Sequence, residues 1–193
     1  MANILDAQKA FSKLLDIEYQ FVLGRKDKTV SLTIEFQKYH FFHLAGLQYL
    51  KDLSRLFIPA EGVYNQIESG QLPVSYIESS NNYDYIKGRV EYLPTLEYIF
   101  DSNDTIFKYN PELQAFSVIE ADFLLRNEIN KVPIFLFLSK DKNKKYFCKT
   151  FFPQGKKDYT ERQTKWTVLF KKKIVKSTNT ETVLYKNKNF EVK

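Results

Sequence analysis

Apolar residues recur at helical spacing over residues 4–22, at Ile4, Phe11, Leu14, Leu15, Phe21 and Val22, and predict an amphipathic helix. Gly24 and the charged Arg25-Lys-Asp-Lys28 close it. Residues 29–36 then alternate, with Val30, Leu32, Ile34 and Phe36 on one face, which predicts a half-buried strand. Helical spacing returns over 39–56, where His43, Leu47 and Leu50 share a face. Short helices are predicted over 62–70 and 74–77, the second opened by Pro73. A further helix over 84–100 carries Lys87 and Arg89 and is bent or interrupted at Pro94.

From Thr105 the pattern changes to strands, predicted over 105–109, 115–118, 134–138, 145–152, 164–172 and 182–185. Turn signals separate them at Asn110-Pro111, Asp141-Lys-Asn143, Gln154-Gly155 and Thr178-Asn179. Residues 119–129 suit either a strand or a short helix. Helices followed by an antiparallel meander predict an α+β fold, with N-terminal helices packed on a C-terminal antiparallel β-sheet. One domain over 1–193 is expected: 1–103 mainly helical with one early strand, and 104–193 a basic antiparallel sheet.

Charge divides the chain in the same place. Residues 140–193 hold 16 Lys and Arg against 5 Asp and Glu, whereas the preceding 139 residues hold 13 against 18. Such a split suits a polyanionic partner, and a strand-borne basic segment favours nucleic acid over a membrane surface. A solvated lysine-rich surface would carry the same composition. The single cysteine, Cys148, excludes an intrachain disulfide and lies among Tyr146, Phe147, Phe151 and Phe152, where a buried apolar role is expected. Residues 1–6 lack the basic-then-apolar pattern of a signal peptide, and the longest apolar stretch, residues 132–138, is far below the ~20 residues of a membrane span. A cytoplasmic protein without membrane association is expected.

No phosphate-binding glycine loop, HExxH or paired Cys-x-x-Cys occurs, and two histidines with one cysteine make a zinc site improbable, so neither metal nor cofactor is expected. His43 is the residue best suited to chemistry, because imidazole exchanges a proton near neutral pH. Its neighbours Leu47 and Leu50 would point it inward, where a core role is the other reading. His40 is expected to be exposed or a local capping partner. Lys87, Arg89, Lys149 and Arg162 are candidate cations for a phosphate, and Thr150, Tyr159, Thr160 and Gln163 candidate donors. The segment Asp158-Tyr-Thr-Glu-Arg-Gln163 reads equally as a turn capped by Asp158.

Phe41-x-His-Leu-x-Gly46, a separate Lys87, and Phe151-Phe-Pro153 running into Asp158-Tyr-Thr-x-x-Gln163 together resemble a known family. It is the fourth phage-type group of the Barnase–EndoU–colicin–RelE-like nuclease superfamily, matched here over about residues 34–174. The resemblance implies a small RNase fold with N-terminal helices against an antiparallel sheet. It implies His43 as general acid or base and Lys87 as phosphate contact or charge stabiliser. Tyr159, Thr160 and Gln163 would bind phosphate or ribose from the sheet. Lys149, Thr150, Lys156, Lys157 and Arg162 complete the expected RNA-binding set. Thr150 stands where the group would carry serine, which keeps a hydroxyl. The implied activity is metal-independent RNA cleavage, with RNA (tRNA included) as partner and a protein antitoxin or inhibitor as a second one. The competing expectation is a non-catalytic RNA- or host-protein-binding accessory protein of a mobile element.

Overall fold

The computed structural model describes residues 2–102, 105–188, 190 and 191. The first helix, α1 (Ile4–Leu14), starts at a reciprocal cap: Asn3 Oδ1 accepts from the Leu5 and Asp6 amides, and Asp6 accepts from the Asn3 amide. It buries Ile4, Ala7, Phe11 and Leu14 and stops there, eight residues short of the helix expected over 4–22. Ile17, Tyr19, Phe21 and Leu23 alternate instead and form β1 (Ile17–Arg25), with all four side chains buried. A two-residue turn at Lys26-Asp27, with Lys26 at φ 52°, leads into β2 (Lys28–Glu35).

The helix expected over 39–56 is one short helix, α2 (His40–Leu44), followed by 3-10 turns at Leu47–Tyr49 and Ser54–Leu56. Gly46 ends α2 at φ 81°, and a Cβ there would lie 2.8 Å from Arg89 Cδ and 2.9 Å from Ile86 Cγ2. Only glycine combines that conformation with so close an approach. Next come α3 (Ala60–Glu68), α4 (Val74–Glu78), α5 (Asp84–Tyr92) and α6 (Leu96–Asp101), the last pair parted by a turn containing Pro94 as the sequence predicts.

The remaining strands are β3 (Thr105–Lys108), β4 (Phe123–Ile129), β5 (Val132–Lys140), β6 (Tyr146–Pro153), β7 (Thr164–Val175) and β8 (Thr180–Lys186). The ambiguous 119–129 segment is therefore largely strand. Its hairpin with β5 turns through Asn130 and Lys131, both at positive φ. Residues 115–118 are not a strand. Phe116 sits at φ 59°, a left-handed conformation costing a bulky residue roughly 1–2 kcal/mol and incompatible with a ladder.

Strand order is β1-β2-β6-β5-β4-β3-β7-β8, and β1 also pairs with β7 from Ile17↔Val175 to Gly24↔Thr167. The chain is thus mixed α and β, but its sheet closes into a barrel instead of lying open as a C-terminal meander. The N-terminal part supplies two strands where one was expected. Neighbours pair antiparallel except β2 and β6, which touch in parallel at Ile34↔Tyr146. Closure leaves β8 as an extension along β7.

Tyr19, Phe21, Phe36 and Phe100 fill the core beside α1, with the Tyr19 and Phe100 rings stacked at 5.0 Å. A second core joins Tyr109, Leu124, Phe135 and Phe137, against which Phe152 and Tyr159 pack. Cys148 is buried as its neighbours predict, and burial pushes its thiol far above the usual range. Among the described residues no helix is long and apolar enough to cross a membrane.

Candidate active site

Strand β6 forms the floor of a cleft of about 440 Å³, contributing Phe147, Lys149 and Thr150. Helix α2 and the turn after it form one wall, with Tyr39, His40, His43, Gln48 and Tyr49. Val118 and Ile119 form the other. This volume lies within the ordinary range for small-ligand sites.

The two histidines are placed differently. His40 is buried, its Nδ1 accepting from the Gln37 amide at 3.0 Å and its ring stacked 5.0 Å from Phe147. It is buried instead of exposed, and its local bond reaches Gln37, ahead of the helix, without capping α2. Burial, then the neighbouring His43, pushes its pKa down to about 4, against a smaller upward pull from Asp141. His40 is therefore neutral at pH 7, and the Gln37 bond assigns its proton to Nε2. His43 is exposed at the rim of the cleft instead of turned into the core. The chain turns at Gly46, so the helical face that would have carried His43 with Leu47 and Leu50 is never built. Partial burial still holds the His43 pKa below the ordinary imidazole value, which favours the neutral, proton-accepting form.

Beneath the floor lies Arg89 of α5. Its guanidinium donates to Thr150 Oγ1 at 2.9 Å and to the Phe151 carbonyl at 2.7 Å. It also lies 5.0 Å from the Phe152 ring centre and 5.4 Å from that of Tyr49. Among the described residues no carboxylate pairs with it. Lys149 likewise ends on a neutral acceptor, the Glu120 carbonyl at 2.7 Å. Two cations without counter-charge thus flank a hydroxyl whose oxygen already accepts from Arg89, leaving its O–H to donate into the cleft.

His43, Lys149 and Thr150 are therefore brought together, and the other seven expected site residues do not line the cleft. Lys87 is exposed and lines a separate pocket with Asn3, Glu78 and Tyr83. The 158–163 segment is the capped turn: Asp158 Oδ1 accepts from the Thr160 amide at 2.8 Å and the Thr160 hydroxyl at 2.7 Å. Gln163 is buried and spends its amide on Asn110, accepting from its N–H at 2.7 Å and donating to its carbonyl at 3.0 Å. Tyr159 packs its ring on Phe135, Phe137 and Phe152, and its hydroxyl is near enough to Arg89 to act on its charge. Lys157 donates to the Ala115 carbonyl at 2.6 Å, while Lys156 and Arg162 are exposed.

Arg89, which the sequence motifs place behind Lys87, is the cation that reaches the floor. Helical phase carries the signal: Arg89 follows Ile86 by three positions and shares its buried side, whereas Lys87 faces away. Tyr49 and Gln48 give no signal in the sequence because an irregular turn, without periodicity, presents them. Among the described residues no group of three or more His, Cys, Asp or Glu side chains gathers as metal ligands would.

Comparison with known proteins gives one match. A family model described as phage-Barnase-EndoU-ColicinE5/D-RelE like nuclease 4 covers residues 3–188, nearly the whole chain. No curated protein and no solved structure matches. The chain belongs to this nuclease family.

Proposed function

From its place in this nuclease family, we propose that the chain is a metal-independent endoribonuclease acting in the β6 cleft. The observation that carries this reading is the convergence of His43, Lys149 and Thr150 around one cleft of about 440 Å³, with Arg89 bonded to Thr150 from beneath it. Neutral His43 accepts the proton of a ribose 2′-hydroxyl as that oxygen attacks the adjacent phosphorus. The bond from phosphorus to the 5′-oxygen breaks, and the proton returns through His43 to the leaving oxygen. The products are a 2′,3′-cyclic phosphate and a 5′-hydroxyl. Lys149 and the Arg89–Thr150 pair stabilise the charge that grows on the phosphoryl oxygens, where preorganised donors act most strongly. Phe152 and Tyr49 face the guanidinium and Tyr159 packs on Phe152, so in this reading Tyr159 is a positioning residue. Lys87, Thr160 and Gln163 are left with structural or surface roles.

The test is a gel assay of total RNA and tRNA in EDTA, with wild type beside His43→Ala. Expected is EDTA-resistant cleavage ending in a cyclic phosphate, reduced on the order of 10²–10⁴-fold in the variant. Full activity in the variant would remove His43 from the mechanism, and equal cleavage of DNA would remove the 2′-hydroxyl attack. One observation favours a non-catalytic RNA-binding reading: among the described residues no hydrogen bond orients the His43 ring, whereas catalytic bases usually have such a partner. Salt-sensitive RNA binding without product, indifferent to His43→Ala, would decide for it.

A further inference from the structure

The 111–120 segment presents apolar side chains to solvent beside the cleft. Phe116 is fully exposed, Val118 is 96% exposed, and Leu113 is half-exposed. Looseness does not account for this, because polar bonds fix the loop on both sides of Phe116. Gln114 Nε2 donates to the Tyr159 and Glu161 carbonyls, Lys157 to the Ala115 carbonyl, and Ser117 Oγ accepts from the Ile119 amide. Lys149, in the cleft floor, holds the Glu120 carbonyl. The loop therefore keeps an unfavourable left-handed φ at Phe116 and points a large aromatic ring at water.

Unpaired cations lie around that ring, on segments that also carry the exposed carboxylates Glu112, Glu120 and Glu161. Lys149 and Lys157 anchor the loop itself, and Lys156 and Arg162 stand exposed on the neighbouring segment to which it is bonded. None of the four forms an ion pair among the described residues. Protein-docking hot spots are depleted in lysine, whereas single-stranded nucleic acid is held by a cationic track with aromatic faces on which bases stack. Across the cleft, Tyr39 and Tyr49 are 50% and 46% exposed and offer a second aromatic wall.

We propose that the substrate is single-stranded RNA and that Phe116 is the stacking platform for an unpaired base beside the phosphate held in the cleft. A duplex keeps both faces of every base covered and cannot use such a platform. The proposal rests on the endoribonuclease reading and names its substrate class.

The experiment measures binding of short single-stranded RNA to the full chain carrying His43→Ala, so that the RNA stays intact. Parent, Phe116→Ala and Phe116→Trp are compared on a normal oligonucleotide and on a set with one base removed at each position in turn. Phe116→Ala is expected to weaken binding on the order of 5- to 100-fold, and Phe116→Trp to restore it. Removing the base at one position should weaken the parent equally and add nothing to Phe116→Ala. Duplex RNA should bind all three alike. Because Phe116 touches so little, the substitution should leave thermal unfolding within a degree or two of the parent. Equal affinity of parent and Phe116→Ala for single strands, with wild type still cutting RNA, would overturn this inference, assign the loop to a protein partner, and leave the nuclease reading standing. A wild-type protein that neither binds nor cuts RNA would remove both.

Discussion

Strand β7 and the β6 cleft each carry a group of cations, and the two are used in opposite ways. Lys171, Lys172 and Lys173 form the longest unbroken run of basic residues in the sequence. Lys171 is fully buried, donating to the Phe100 carbonyl at 2.9 Å and to that of Ser102. Lys172 pairs with Glu181 at 2.9 Å, and Lys173 with Glu97 at 2.7 Å and Asp101 at 2.9 Å. The run closes the barrel onto the C-terminal end of α6, where cations offset the carbonyl end of a helix. At the cleft, Lys149 in the floor and Arg89 beneath it meet only neutral acceptors, so neither charge is offset by a carboxylate. What a phosphate senses is charge left uncompensated, which composition alone does not report.

Substitutions in the two regions sharpen that contrast, taken from the largest expected effect downward. Arg89→Ala should lower RNA cleavage about 10²–10³-fold, the usual cost of removing one donor aimed at developing charge. Arg89→Lys should recover little, since an ammonium lacks the planar guanidinium that lies against the Phe152 and Tyr49 rings. Single-turnover rates measure both.

The next effect is acid sensitivity. The His40 pKa is about 4 in the folded chain and near 6.5 when unfolded, so the unfolded state binds more protons between those values. Stability from keeping His40 neutral is therefore complete above pH 6.5 and declines as pH falls toward 4, by at most about 3 kcal/mol. His43, also shifted down, adds in the same direction. Urea midpoints at pH 7.5, 5.5 and 4.5 should fall more steeply for the parent than for His40→Gln, and parallel curves would contradict this.

Lys171→Met should cost about 2 kcal/mol by leaving two carbonyls short of a donor, while activity per folded molecule is retained. Chemical unfolding and an active-site titration separate the two. Lys172→Ala, which opens an exposed pair, should change stability by no more than about 0.5 kcal/mol and leave cleavage unaltered.

Much of this architecture is legible in local pattern, and what is missed has a physical cause. The break between α5 and α6 at Pro94 and the hairpin turns of the C-terminal strands follow from short-range chemistry. Strand β1 hides in the sequence because Leu14, Leu15, Phe21 and Val22 satisfy a helical stripe, and only the burial of Ile17, Tyr19, Phe21 and Leu23 selects the strand. Closure of the barrel by β1 and β7 joins residues some 150 positions apart and leaves no local trace. In the site, His43, Lys149 and Thr150 line one cleft. Gln163 and Thr160 look equally functional in sequence, but their hydrogen bonds are spent on Asn110 and Asp158. Polar residue type marks a candidate, and only the partners it has already taken decide whether it is available.

The most direct measurement is the salt dependence of single-stranded RNA binding by the His43→Ala chain, repeated with Lys149→Ala and with Lys172→Ala. Removing one cation that neutralises a phosphate should reduce the slope of log affinity against log salt by about 0.7. The expected result is that reduction for Lys149→Ala and an unchanged slope for Lys172→Ala. The reverse pattern would place the phosphate on the lysine strand and contradict the cleft as the site of RNA cleavage.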